Sequence, residues 1–256
     1  MALRYYFDLM SQPSRAVYIF LKQNNIPFDP KPVALRKGEH FTEEFKKLNP
    51  FSRVPFIDDN GFILTESVAI LRYLSQKYNV PEHWYPRSDV KKQARVDQYL
   101  NWQHLNLRLN AAMTFQHLLL IPRMRNQPVD QKKVERFKLG LAESLMYMET
   151  YFLKDQMFLC GDDISVADIL GACELMQLNA VMEEKLYESN PVLDAWMKRV
   201  KARLCSNFDE AHEITYRTLH PSLALEAAIS NLFIALDKNK QGEDSLLLLM
   251  WNGDRE

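Results

Sequence analysis

The chain opens on an alternation. Leu3, Tyr5, Phe7 and Leu9 are separated by more polar neighbours, the period of a strand rich in aromatic side chains. The period then lengthens: Pro13, Ala16, Val17, Phe20 and Leu21 share one stripe, which predicts a helix ending at Asn24-Asn25 and Ile26-Pro27. Phe28 to Leu35 predicts a second strand. A helix separates it from the first, so the two are expected to run parallel. Pro30 and Pro32 cannot donate to a ladder and suit an edge position. After a short helical piece around Phe41 to Leu48, the runs Val54 to Ile57 and Phe62 to Leu64 flank Asp58-Asp59-Asn60-Gly61. That is a hairpin signal, because Asn and Gly accept the positive φ angles of a tight turn. From Glu66 the helical period returns.

Two prolines interrupt the periodicity in VPEHWYPRSD, a linker packed down by Trp84 and Tyr85. Beyond it only the helical period recurs. A long amphipathic helix is predicted over Val90 to Leu120, stopping at Ile121-Pro122, and another over Lys132 to Leu153. A third starts at Ser165, whose S-x-x-D spacing to Asp168 is a capping box, with Ile164 and Ile169 placed to staple across it. Asn190-Pro191, Leu193, Trp196 and Val200 mark the next. The predicted fold class is therefore α+β. Residues 1–80 follow the order β-α-β-α-β-β-α, a mixed four-stranded sheet with helices in the thioredoxin-like arrangement. A linker at 81–89, an all-α domain at 90–240 and a tail at 241–256 complete the division. No segment repeats at a fixed spacing, which excludes a solenoid.

Composition narrows the function classes. An apolar content of 47% over 256 residues supports a core, and the length suits two domains. A net charge of -1, with acids and bases interspersed, gives no footprint for a polyanion, so nucleic acid is not an expected partner. The opening MALRYYFDL places Arg4 and Asp8 where a signal peptide needs an apolar core, and the late run LLLLMW is far too short for a span. A soluble cytoplasmic protein is expected, with no membrane partner. Cys160, Cys173 and Cys205 are odd in number and lack CxxC or metal-ligand spacing, so they read as buried thiols and no metal site is expected.

Val54-Pro55 before the third strand, Glu66-Ser67 opening the next helix and an all-helical second part with a capping box resemble the cytosolic glutathione transferases over nearly the whole chain. Ser11, Gln12, Pro13, Arg15 to Phe20, Trp84 to Pro86 and Ala94 to His104 look like the theta class of that family. The resemblance implies a homodimeric detoxification enzyme that uses glutathione as co-substrate, with no cofactor. Its thiolate would be transferred to small hydrophobic electrophiles such as halides and epoxides, and reduction of organic hydroperoxides would be an accompanying activity.

Glutathione is a tripeptide with two carboxylates, an ammonium and a thiol that must lose its proton to attack. Lowering a thiol pKa of about 8.5 by two units needs roughly 2.7 kcal/mol of preference for the thiolate. One hydroxyl bond to a charged acceptor contributes about 1.5 to 3 kcal/mol and a helix N-terminus about 0.3 to 1. A single serine at the start of the first helix is sufficient in magnitude. Ser11, two residues before Pro13, matches the family's activating position, although the residue pattern alone reads it as an N-cap. Ser14 lies inside the first turn, where its side chain can return to the backbone, and reads as structural.

The other site residues follow from the same resemblance. Glu66 and Ser67 sit at a helix start that favours an anion. Ser67 and its neighbouring amides are implied to hold the γ-glutamyl carboxylate and Glu66 the ammonium; an ordinary acidic first turn is the alternative. Pro55 is implied to be cis, turning the Val54 backbone toward the cysteinyl part, against a trans proline that merely starts a strand. His40 and Arg53, assisted by Gln12, match positions near the glycyl carboxylate, Arg53 as a forked donor; two solvated loop residues are the alternative. Arg108, one turn after His104, either faces the cleft and adds positive potential near the sulfur or makes a surface salt bridge. Met10, Ala112, Phe115 and Gln116 are implied to line the electrophile pocket, although LNLRLNAAMTF departs from the theta pattern. Leu225, Ile229, Leu232 and Leu236 share a helical face that fits a lid over the cleft, a core contact or a dimer contact.

Two function classes remain: the transferase, and a non-catalytic binding or structural protein that keeps the fold without thiol activation. A thiol-disulfide oxidoreductase needs a reactive cysteine near the first helix, and residues 11–14 contain none.

Overall fold

The computed structural model describes residues 3–217. The stripe Leu225, Ile229, Leu232 and Leu236 and the tail at 241–256 lie outside the described residues.

Strand β1 (Leu3–Phe7) leads through α1 (Gln12–Gln23) to β2 (Phe28–Pro32), then through the short α2 (Glu43–Leu48) to β3 (Phe56–Asp59), β4 (Phe62–Thr65) and α3 (Ser67–Lys77). The sheet order is β2-β1-β3-β4, with β1 parallel to β2 and antiparallel to β3. Strand β2 thus sits at the edge, as its two prolines require. It ends at Pro32 rather than Leu35, because Leu35–Lys37 turns into a 3-10 segment that closes on Gly38 at φ 69°. The hairpin turn is also tighter than expected. Asp58 and Asp59 belong to β3, and only Asn60 and Gly61, at φ 56° and 93°, reverse the chain. Both buried acids are partnered, Asp58 by Arg4 and Asp59 by Lys77 and the Tyr73 hydroxyl, as burial of a carboxylate demands.

The helical part comprises α4 (Val90–Leu105), α5 (Leu107–Phe115), α6 (Ile121–Arg125), α7 (Gln131–Tyr147), α8 (Val166–Met176), α9 (Lys185–Glu188), α10 (Pro191–Leu204) and α11 (Ser206–Arg217). The single helix expected over Val90 to Leu120 is broken at Asn106 (φ -114°, ψ -91°), and it does not stop at Ile121-Pro122. A wide π-helical turn, Gln116–Leu120, precedes the proline, which then sits in the first turn of α6. There its missing N–H costs nothing, so the chain continues helically to Arg125.

Helix α8 is buried along its whole length and packs against α1, α4 and α5, so the second part is built around it. The capping box forms as the sequence predicts. The Ser165 side chain meets the amide of Ala167 at 3.2 Å, while Asp168 accepts the Ser165 amide at 2.9 Å. Asp168 also accepts the amide of Leu159 at 2.8 Å and the indole N–H of Trp196 at 2.9 Å, so one carboxylate ties α8 to α10. Cys173 is buried and Cys160 half-buried, but Cys205 is exposed, contrary to the expectation that all three lie inside. No helix among the described residues is long and apolar enough to cross a membrane.

Candidate active site

Sheet register places the candidate residues at one end. Tyr6 faces Phe56 across β1 and β3, Phe56 faces Thr65 across β3 and β4, and Phe7 faces Pro32 across β1 and β2. The chain leaves β1 toward Met10 and Ser11, enters β3 from Val54 and Pro55, and leaves β4 toward Glu66 and Ser67, all at this end. His40 lies on the segment that follows β2.

Ser11 caps α1, accepting the amide of Ser14 at a long 3.4 Å, while its own amide donates to the Asp8 carbonyl at 2.9 Å. Asp8 fixes the loop further, since its carboxylate accepts the amides of Met10 at 2.8 Å and Leu35 at 3.2 Å. Ser14 is structural, but not by a side-chain bond to the backbone. Its hydroxyl is buried without a hydrogen bond among the described residues, and its carbonyl instead accepts the Tyr5 hydroxyl at 2.6 Å. That bond pins the first turn of α1 to β1.

The Val54-Pro55 peptide is cis. The preceding loop is organised by buried Asn49, whose amide donates to the Arg53 carbonyl at 2.7 Å while its oxygen accepts the amide of Phe51 at 3.0 Å. Arg53 itself is exposed. Glu66 is the N-cap of α3 at φ 67°, with no side-chain cap, so the amides of the first turn have no side-chain acceptor within the helix. His40 is half-buried with its ring against Phe41, and its Nδ1 has no hydrogen bond among the described residues. Burial pushes this imidazole down to about 4, so it is neutral at pH 7.

From the helical part, His104 and Arg108 approach the same end. Burial first, then the Arg108 charge, lower the His104 pKa, while Glu66 opposes them and Arg53 adds to them. These four residues therefore share one electrostatic environment across the two parts of the chain. Arg108 makes a salt bridge, but a partly buried one: its guanidinium pairs with the buried carboxylate of Glu174. Of the residues expected to line the electrophile pocket, Ala112, Gln116 and Met10 are half-buried, whereas Phe115 is buried at 6% exposure and offers little surface to a ligand. Gln12 is half-buried in the first position of α1.

Periodicity missed several residues that shape the site. Asp8, Asn49 and Glu174 act through backbone or ion-pair bonds that local patterns do not reveal. Arg15 left a signal, a cation set among Pro13, Ala16 and Val17 on an otherwise apolar stripe, and it is fully buried.

Residues 1–76 match the family model for the glutathione S-transferase N-terminal domain and residues 110–203 that for the C-terminal domain. The chain is 44% identical over 216 residues to glutathione S-transferase theta-1 of Bos taurus, covering 84% of this chain and 89% of the relative. It is 44% identical over 213 residues to theta-2 of Mus musculus, covering 83% and 86%. Among solved structures, the apo form of human glutathione-S-transferase T1-1 superposes with a TM-score of 0.82 at 39% identity, over 92% of this chain and 98% of the other. A human theta-class glutathione transferase in complex with the glutathione conjugate of 1-menaphthyl sulfate gives 0.81 at 40% identity, over 91% and 98%.

Proposed function

Because the chain belongs to the glutathione S-transferase family, and within it to the theta class, we propose that Ser11 is the group that stabilises the thiolate of bound glutathione. The protein is a transferase that conjugates that thiolate to small electrophiles. The observation that carries the assignment is the long cap contact at 3.4 Å: Ser11 Oγ only accepts there, and its proton remains to donate to sulfur. A hydroxyl bond to a thiolate, about 1.5 to 3 kcal/mol, together with the α1 dipole matches the roughly 2.7 kcal/mol that a two-unit pKa shift requires.

In this reading the tripeptide lies along the common sheet end. Ser67 and the uncapped amides of α3 take the γ-glutamyl carboxylate and Glu66 the ammonium. The Val54 backbone, set by the Pro55 peptide, meets the cysteinyl unit. Arg53, His40 and Gln12 take the glycyl carboxylate, His40 as a neutral hydrogen-bonding group. The sulfur then forms a bond to the electrophilic carbon as the leaving group departs with its electron pair, or as an epoxide ring opens. Met10, Ala112 and Gln116 supply the half-buried surface for that electrophile, with Phe115 behind them. Arg108 contributes a field reduced by its Glu174 partner. Organic hydroperoxide reduction would use the same thiolate.

We assign a homodimer, supported by the exposed apolar side chains of Phe51 and Phe62 in the first part and Leu105 in the second. A cytoplasmic detoxification role accords with this chemistry. The domain division 1–80, 81–89 and 90–240 fits the break in element type between α3 and α4.

The test is the ultraviolet absorbance of enzyme-bound thiolate, titrated against pH in the wild type and in Ser11→Ala. A bound-thiol pKa well below that of free glutathione, rising in the variant, is expected. Glutathione binding with an unshifted thiol would leave Ser11 as a cap alone and favour the non-catalytic reading.

A further inference from the structure

Arg15 is fully buried, and among the described residues its four hydrogen bonds all go to neutral oxygens. One guanidinium nitrogen donates to the carbonyls of Leu9 at 2.9 Å and Met10 at 3.4 Å, the two residues immediately before Ser11. The other donates to the Cys173 carbonyl at 3.0 Å and to Gln177 Oε1 at 2.8 Å, at the C-terminal end of α8. Asp8 and Glu174 contribute favourable charge from a distance. Replacing Arg15 by an apolar side chain would strand these four acceptors, so the guanidinium is kept for the bonds it makes. Its planar fork does something no apolar residue can, because it fixes two peptide planes of one segment against two acceptors of another.

We propose that Arg15 is a positioning residue that holds the Ser11 hydroxyl in its activating orientation by bracing the Leu9–Met10 backbone against α8. The inference rests on the assignment of Ser11 as the thiolate-stabilising group. Asp8 fixes the same loop from the sheet side, Tyr5 pins the first turn of α1 that follows it, and Arg15 ties the loop to the helical part. A hydroxyl bond to sulfur is strongest when its angle exceeds about 150° and weakens steeply below about 120°. A small tilt of the Leu9–Ser11 backbone therefore weakens activation while leaving the carboxylate and ammonium contacts of glutathione in place.

Two variants test this. Gln177→Leu removes one acceptor and leaves the cation; Arg15→Lys keeps the charge but cannot bridge four acceptors. In each, the bound-thiol pKa, kcat, KM for glutathione and thermal midpoint are measured, and the same changes are repeated in the Ser11→Ala background. The expected result is a bound-thiol pKa raised by about one unit and kcat reduced about tenfold. KM should stay within about twofold, and there should be no further loss of kcat once Ser11 is alanine. A lowered thermal midpoint with bound-thiol pKa and kcat unchanged overturns the proposal and leaves Arg15 a structural brace. If Arg15→Lys does not fold, Gln177→Leu decides alone. Ser11→Ala separates the two claims: if it leaves the thiol pKa unmoved, the Ser11 assignment has failed and the inference with it. If it raises the pKa while Gln177→Leu does not, only the inference falls.

Discussion

The hydroxyl of Tyr99 occupies the space that a side chain at position 171 would need: a Cβ on Gly171 would lie 2.5 Å from it. In an ordinary helix interior Gly→Ala gains about 1 kcal/mol. Here Gly171→Ala is expected to cost about 1 to 3 kcal/mol through overpacking. The Tyr99 hydroxyl is buried without a partner among the described residues, so Tyr99→Phe loses no hydrogen bond. Urea unfolding of both single variants and of the double variant checks the relationship, with Tyr99→Phe expected to recover most of the loss. An equal cost of Gly171→Ala in both backgrounds would assign the clash instead to Leu159, at 3.2 Å, and Trp196, at 3.4 Å.

Glu82 shapes the linker between the sheet and the helices. Its carboxylate accepts the amides of Ser88 at 3.0 Å and Arg87 at 2.7 Å, the Ser88 hydroxyl at 3.0 Å and Arg87 Nε at 2.9 Å. The Ser88 amide is the largest influence that draws its pKa from 4.5 down to about 2. A carboxylate depressed by folding stabilises the native state above its unfolded pKa, and that contribution is lost as pH falls through the folded value. The side-chain carboxyl resonance of Glu82 is therefore expected to titrate near pH 2. Glu82→Gln should flatten the acid limb of the stability profile between pH 4.5 and 2. A titration near 4.5 would show that the linker bonds do not persist in solution.

Sequence patterns reached those features whose signals are local. Pro30 and Pro32 mark an edge strand, Asn60-Gly61 a hairpin, and Ser165 with Asp168 a helix start, each through covalent geometry or bonds spanning a few residues. The helix break at Asn106 and the π-helical turn before Pro122 were not legible. Neither segment contains a glycine or proline that would announce it. The candidate site divides in the same way. Ser11, Glu66 and Ser67 stand at element boundaries that sequence can locate, while Arg108 and Glu174 meet across 66 positions, and no periodicity relates them.

His40 gives a pH-dependent signature of the proposed glycyl site. Burial holds its imidazole at about 4, so the unfolded chain, with an ordinary value of 6.5, takes up a proton first as pH falls. This residue therefore lowers native stability progressively from pH 6.5 to 4. A carboxylate bound beside the ring favours the imidazolium and should raise the pKa. NMR titration of the His40 ring is expected to give a midpoint near 4 in the free protein and a higher one with glutathione. By linkage, affinity should then rise as pH falls below the bound-state value, a trend lost in His40→Gln. An unchanged midpoint on saturation would place the glycyl carboxylate elsewhere.

The pair formed by Arg108 and Glu174 separates a structural from an electrostatic role. Glu174 is fully buried, one oxygen held by Arg108 and the other without a hydrogen bond among the described residues. Burial raises its pKa, and Arg108 is the largest influence holding it down. Arg108→Ala removes that partner and should raise the pKa further. A carboxyl whose folded pKa exceeds its unfolded value favours folding at low pH and loses that advantage as pH rises through the folded value. The destabilisation by Arg108→Ala is therefore expected to be small at acid pH, where the carboxyl is protonated, and to grow as pH rises, toward about 3 to 5 kcal/mol once the charge is buried unpaired. Adding Glu174→Gln should abolish the pH dependence and restore much of the stability. With folding restored, the double variant isolates the field at the sulfur: a bound-thiol pKa above that of the wild type would show that Arg108 assists the thiolate despite its partner. An unchanged pKa would confine Arg108 to holding Glu174. A single variant equally unstable at acid and at alkaline pH would refute the charge pair as the origin of its effect.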